Sequence, residues 1–196
     1  IVQALGGIMS LTGYENQDPV RVGTSIGDIT AGLFTTIGIQ AALIRRNLTK
    51  QGSYIDISML DCQTAILENA VSRYYSEKKV PKKIGSRHPS IAPFECYKCK
   101  DDYIAIAAGN DGLFEKLCHA TNSENLLKLN SFKTNDLRLK NVKKLKAMLE
   151  KVLIKKKSSF WLSQLDLYGV PVGKLNNIKE ALDLQKALNR NMIVDV

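Results

Sequence analysis

Nowhere in the sequence does an uninterrupted apolar run reach the ~18 residues a membrane span needs. The opening residues also lack the basic-then-apolar pattern of a signal peptide. Those two absences point to a cytoplasmic protein with no membrane partner. Cysteine is sparse: Cys62, Cys96, Cys99 and Cys118 stand at irregular spacing, which does not suggest the disulfide framework of a small secreted domain. Cys96-Tyr97-Lys98-Cys99 has the spacing of half a zinc site, but there is no second such pair, and only His119 beside Cys118 is left to complete four ligands. No metal is expected. There is no internal repeat, and no aromatic series interleaved with basic residues on which bases would stack.

The 196 residues, 44% of them hydrophobic, suffice for a substantial core. The formal net charge of +9 owes much to Lys140, Lys143, Lys144, Lys146, Lys151, Lys155, Lys156 and Lys157. Within that stretch Val142, Leu145, Leu149 and Val152 recur at gaps of three and four, the mark of a helix with one buried stripe. The lysines then fall largely on its solvated face, and nucleic acid is not an expected partner. The chain opens on Ile1-Val2-Gln3 and closes on Ile193-Val194-Asp195-Val196, which reads as the start of a buried strand. Both ends are expected to lie inside a longer protein.

Ile26, Ile29, Leu33, Ile37, Ala41 and Ile44 predict a long, well-buried helix over residues 24–46, with Arg45 and Arg46 at the carbonyl end of its dipole. Residues 54–57 alternate like a strand. Leu60, Leu67, Val71 and Tyr74 resume a helix that Lys78, Lys79 and Pro81 end. Residues 82–93 form a polar loop. Beyond it, residues 94–97 and 103–108 read as a hairpin around Lys100-Asp101-Asp102. Three helices follow, one from about Gly112, the lysine-rich one, and one around Trp161 with Ser158 and Ser159 as capping candidates. Gly169 ends the last, residues 170–173 form a stiff extended connector, and residues 178–188 a short helix or two. The expected division is residues 1–90, then a small α+β unit over 91–165, then a segment 166–196 that returns toward the first part.

The most informative local feature is Gly23-Thr24-Ser25-Ile26-Gly27-Asp28, a glycine-bracketed turn that delivers one carboxylate to the start of the long helix. An aspartate in a first turn commonly satisfies free N–H groups and complements the dipole, and that suffices to explain most such residues. The same placement favours a charged carboxylate and keeps it available to attack an electrophile.

Around that turn, Gln3-Ala4-Leu5-Gly6-Gly7-Ile8-Met9-Ser10-Leu11-Thr12-Gly13, Pro19-Val20-Arg21-Val22-Gly23, Gly27-Asp28 and Ala41-Ala42-Leu43-Ile44-Arg45-Arg46 follow in order. Downstream come residues 51–61 (Gln51 to Asp61), the loop Gly85-Ser86-Arg87-His88-Pro89-Ser90-Ile91-Ala92-Pro93, and Gly169-Val170-Pro171-Val172-Gly173. This succession resembles the class III CoA-transferases along the whole chain. The loop and residues 132–138 (Phe132 to Arg138) look most like the branch that moves CoA between dicarboxylic acids such as succinate and glutarate.

The resemblance implies an α/β protein, here a partial class III CoA-transferase fold with an incomplete nucleotide-binding-like large domain and a small α+β domain. It implies that Asp28 is the nucleophile: the carboxylate attacks an acyl-CoA thioester to give a mixed anhydride, the thiolate returns to give a β-aspartyl-CoA thioester, and a carboxylic acid acceptor then takes the CoA. Coenzyme A enters as a thioester substrate and no metal takes part. His88, Pro89 and Ser90 would form a substrate loop covering the acyl group, although the glycine-rich loop of better-known transferases is missing there. The main CoA site would lie upstream of Ile1, which leaves this stretch catalytically incomplete. Family members are interlocked homodimers. Two other readings remain. An α-methylacyl-CoA racemase shares the fold and uses the matching Asp as an acid/base, with a His partner upstream of Ile1; Ile29-Thr30-Ala31-Gly32 looks more like the transferases. The third is a non-catalytic remnant or interaction module.

Overall fold

A computed structural model describes residues 1–188 and 190–194. The chain divides into two compact units, Ile1–Gly85 and Ser86–Val196.

The first unit is helical. Short helices α1 (Val2–Leu5) and α2 (Ile8–Leu11) are joined through Gly6 and Gly7, and Gly7 takes φ 86°, a conformation that a side chain would strain. Helix α3 (Ile26–Thr49) has Lys50, in the left-handed region, as its C-cap. Helix α4 (Met59–Ala65) starts where the Asp61 N–H donates to Ser58 Oγ, and α5 (Asn69–Glu77) follows. The single helix expected across residues 60–77 is therefore two. The break falls at Ile66–Glu68, where Glu68 has φ 40°, and α5 ends on Lys78 at φ 53°.

Two more expectations fail here. Residues 54–57 form no strand: their alternation is real, but no neighbouring strand among the described residues supplies a ladder. Helix α3 forms as predicted but is not well buried. Only Gly27 and Thr30 are buried, while Leu33, Ile37 and Ile44 stand about 60% exposed. By length and composition α3 also matches a membrane span, with 24 residues and mean hydropathy 1.3 over its most apolar window. Interspersed Thr and Gly break the apolar run to the eye without lowering the average enough to exclude it.

The second unit is built on an antiparallel sheet of β1 (Phe94–Lys98), β2 (Tyr103–Ala107) and β3 (Val172–Lys174), in that order. The hairpin register pairs Phe94 with Ala107 and Lys98 with Tyr103. Strand β3 pairs with β2, Ile106 facing Val172, so residues 172–174 join this sheet rather than serving as a connector. The helices of this unit are α6 (Asp111–Ala120), α7 (Asn135–Lys140), α8 (Val142–Leu153), α9 (Ser158–Leu167) and α10 (Ile178–Ala187); α8 packs on β1, and α9 on β2 and β3. Tyr97, Ile104, Ile106, Leu117, Leu149 and Leu165 are among the buried members of its core.

Local chemistry fixes these elements. Asn110 and Thr134 cap α6 and α7, and Asn177 with Glu180 forms a capping box on α10. The lysine-rich helix buries Leu145, Leu149 and Leu153 and leaves most lysines in solvent. Lys146 departs from that pattern: half-buried over the Tyr97 ring, it pairs with Glu95 at 2.7 Å. Neither Ser158 nor Ser159 caps α9. The cap comes from Asp101 in the hairpin turn, whose Oδ1 accepts the Ser158 N–H at 2.7 Å. That hydrogen bond lowers the Asp101 pKa, and it gives the turn a reason to carry Asp. Of the terminal stretch expected to begin a strand, Ile193 and Val194 are not in a strand; Asp195 and Val196 lie outside the described residues.

Candidate functional site

In the first unit, Asp28 sits at the third position of α3, behind Ser25 as the N-cap residue. The Ser25 side chain makes no capping hydrogen bond. Asp28 is exposed, and its carboxylate has no hydrogen bond or ion pair among the described residues. It is thus a charged group at the positive end of a 24-residue helix that no structural contact employs. This unit leaves the carboxylate open to water.

What aims the helix start is Gln3. Its Oε1 accepts the Val22 N–H at 2.9 Å and its Nε2 donates to Thr24 O at 3.3 Å, so the segment entering α3 is clamped to α1. The turn Thr24-Ser25-Ile26 is closed by the Ile26 N–H on Thr24 O. Beneath it lies Gln63 of α4, fully buried, with neither carboxamide atom hydrogen-bonded among the described residues. Nothing in the sequence pattern singles out Gln63. The signal was a polar residue beside Cys62 on the inward side of a short helix, which pattern alone treats as incidental.

In the second unit, His88, Pro89 and Ser90 are brought together in a well-tied loop. His88 donates its backbone N–H to Phe94 O at 2.9 Å and stacks its ring on Phe94, with centroids 5.2 Å apart and planes 11° apart. The Ser90 N–H donates to His88 Nδ1 at 3.2 Å. Asn135 grips the following residues twice: its Nδ2 donates to Ser90 O at 2.9 Å, and its Oδ1 accepts the Ala92 N–H at 3.1 Å. His88 is half-buried rather than the plain exposed residue of a linker turn.

Arg138 completes the support. It is 1% exposed, donates Nε–H to Ala92 O at 2.7 Å and Nη1–H to Phe132 O at 3.1 Å, and pairs with Asp111 at 2.6 Å. Its guanidinium also lies over the Phe114 ring.

Two of the buried cysteines, Cys99 and Cys118, are held as thiols. Burial, reinforced by Asp101, pushes Cys99 up to about 11, and burial with Glu124 pushes Cys118 up to about 12. No group of three or more His, Cys, Asp and Glu side chains arranged to hold a metal occurs among the described residues.

The sequence matches CoA-transferase family III across residues 1–196, and the chain belongs to that family. It is 40% identical over 99% of its length to the acetyl-CoA:oxalate CoA-transferase of Acetobacter aceti, and 34% identical over its whole length to the succinyl-CoA:glutarate CoA-transferase of Homo sapiens. It covers 50% and 45% of those proteins, so the chain spans about half the length of the curated relatives it matches. A CAIB/BAIF family protein from Brucella suis has the same fold: TM-score 0.86 and 37% identity, over 99% of this chain and 51% of that one. The helix-and-sheet architecture is therefore part of the class III CoA-transferase fold.

Proposed function

We propose that this chain is the part of a dicarboxylate CoA-transferase that carries its nucleophile, Asp28. The observation that carries the reading is the carboxylate at the start of α3, behind an entry segment that Gln3 clamps at Val22 and Thr24, with no hydrogen bond or ion pair of its own among the described residues. The names of the relatives support the substrate class, since the proteins from Acetobacter aceti and Homo sapiens transfer CoA to oxalate and to glutarate.

The steps balance without a redox partner. An Asp28 carboxylate oxygen attacks the thioester carbonyl, the C–S bond breaks, and CoA leaves as thiolate. The thiolate then attacks Cγ of Asp28 in the mixed anhydride and expels the donor acid as a carboxylate. The acceptor carboxylate attacks the resulting β-aspartyl-CoA, and the same two exchanges run in reverse to release the new acyl-CoA. Each step displaces a good leaving group, which is the gain from covalent catalysis.

The His88–Ser90 loop is proposed to cover the acyl group. Its ties to Asn135 and Phe94 argue for a shaped wall rather than a swinging flap. The exposed apolar face of α3 is assigned to the remainder of a polypeptide about twice this length, which would also bring the main CoA site and the interlocked homodimer of the family. As a helix of a globular enzyme's large domain, α3 is then covered by protein rather than by lipid despite its span-like hydropathy.

The test is a transfer assay on the full-length protein with succinyl-CoA as donor and oxalate or glutarate as acceptor. New acyl-CoA that disappears in Asp28→Asn supports the reading. Exchange of the α-proton of a branched acyl-CoA, with no transfer, would replace it by racemase chemistry.

A further inference from the structure

Gln63 is completely buried, and both polar atoms of its carboxamide are unpaired among the described residues. Such a group weakens the fold, and an apolar side chain of the same shape would be the more stable choice. The surrounding backbone nevertheless makes room for it. At Gly6 an added Cβ would stand 2.4 Å from Gln63 Cγ and 2.9 Å from Gln63 Cβ, so only glycine fits against it. On the other side, Gln63 Oε1 lies 3.7 Å from the point where a Cβ on Gly27 would be.

Gly27 is the buried residue immediately before Asp28 in the first turn of α3. The first hydrogen bond to the capping carbonyl is that of the Ile29 N–H on Ser25 O. No acceptor meets the backbone N–H groups of Gly27 and Asp28 among the described residues, and the Ser25 side chain does not cap them. Gln63 Oε1, an acceptor without a donor, thus lies against Gly27, whose own N–H, like that of Asp28, has no acceptor among the described residues. While Asp28 is ionised, its charge complements these N–H groups. Once the carboxylate is acylated, that charge is gone and the first turn has lost its counterpart.

We propose that Gln63 is a positioning residue for Asp28: its buried Oε1 takes up the first-turn N–H of α3 while Asp28 carries the acyl group or CoA. No proton is transferred. A small rotation of a neutral carboxamide replaces the lost charge complement and keeps the acylated side chain in line for the next attack. The inference rests on the reading of Asp28 as nucleophile.

The experiment compares the full-length protein with its Gln63→Met variant. The variant is expected to melt higher, since the unpaired amide is gone, yet to lose about tenfold in kcat, one hydrogen bond's worth of barrier, with KM for succinyl-CoA unchanged. Trapping of CoA on Asp28 should fall in parallel. A higher melting temperature with undiminished kcat would overturn the proposal and mark Gln63 as a packing defect only. Hydrogen exchange on the wild type gives a second readout that does not depend on the variant folding: amides of residues 26–29 should be better protected in the adduct than in the free enzyme, and equal protection overturns the proposal. If the wild type forms no adduct on Asp28, it is the nucleophile reading itself that has failed.

Discussion

Asn135 holds the backbone of Ser90 from a position 45 residues further along the chain, its Nδ2 donating to the Ser90 carbonyl at 2.9 Å while its Oδ1 receives the Ala92 N–H. One side chain at the start of α7 thereby sets the path of the loop that contains His88, Pro89 and Ser90.

Replacing Asn135 by Ala should remove both hydrogen bonds and cost about 1 kcal/mol of stability. Amide exchange in residues 88–92 should quicken. On the proposed role of the loop, KM for the acceptor acid rises severalfold while labelling of Asp28 by donor acyl-CoA is unchanged. A variant with ordinary KM and a looser loop would remove the loop from the acyl site.

Arg138 is the deeper support of the same segment. Losing it strips charged hydrogen bonds from the carbonyls of Ala92 and Phe132 and empties the space over Phe114. Arg138→Met should cost about 3 kcal/mol, measured as a fall in the denaturant midpoint of the second unit. Asp111 is mostly exposed and is rehydrated when the pair breaks, so Asp111→Asn should cost much less. Equal losses would mean that the ion pair, not the grip on the carbonyls, is what matters.

The buried thiols give the second unit an alkaline weakness. Cys99 and Cys118 hold their protons more tightly when folded, with values raised from 9.0 to about 11 and about 12. A group whose value is raised by folding leaves stability intact below its unfolded value and withdraws it as pH climbs toward the folded one. The denaturant midpoint should therefore be level up to about pH 9 and fall between pH 9 and 11. Cys99→Ala combined with Cys118→Ala should flatten the decline. Tyr97, raised by burial and by Glu95, leaves part of it in place.

Periodicity carried much of this fold. Helix α3, the hairpin β1–β2 and the buried stripe of α8 announce themselves by spacing, because each needs only its own residues to be recognised. What spacing cannot supply is the partner. Spacing overstates the burial of α3, because an apolar face is buried only when something covers it. Residues 54–57 alternate but find no neighbouring strand among the described residues, whereas β3, only three residues long and containing Gly173, does find one in β2. The break between α4 and α5 has neither Gly nor Pro to mark it, and rests on Glu68 alone at φ 40°.

The site divides in the same way. The placing of Asp28 at a helix start is legible because glycines bracket it and a long helix follows, while its proposed role as nucleophile rests on the family resemblance. Gln3 and Gln63 are not legible, since a clamp on Val22 and Thr24, or an amide left unpaired beneath Gly27, exists only once α1, α3 and α4 are packed. The cap of α9 is a similar case: it comes from Asp101, far back in the sequence, and not from the serines beside it.

The most direct test of the central claim is the mass of the full-length protein and its peptides after incubation with succinyl-CoA, set beside Asp28→Ala. A CoA-sized adduct on the peptide containing Asp28, absent from the mutant, is the predicted result. An active enzyme that shows no adduct there, or that still transfers CoA with Ala in place of Asp28, would contradict the assignment of Asp28 as the nucleophile.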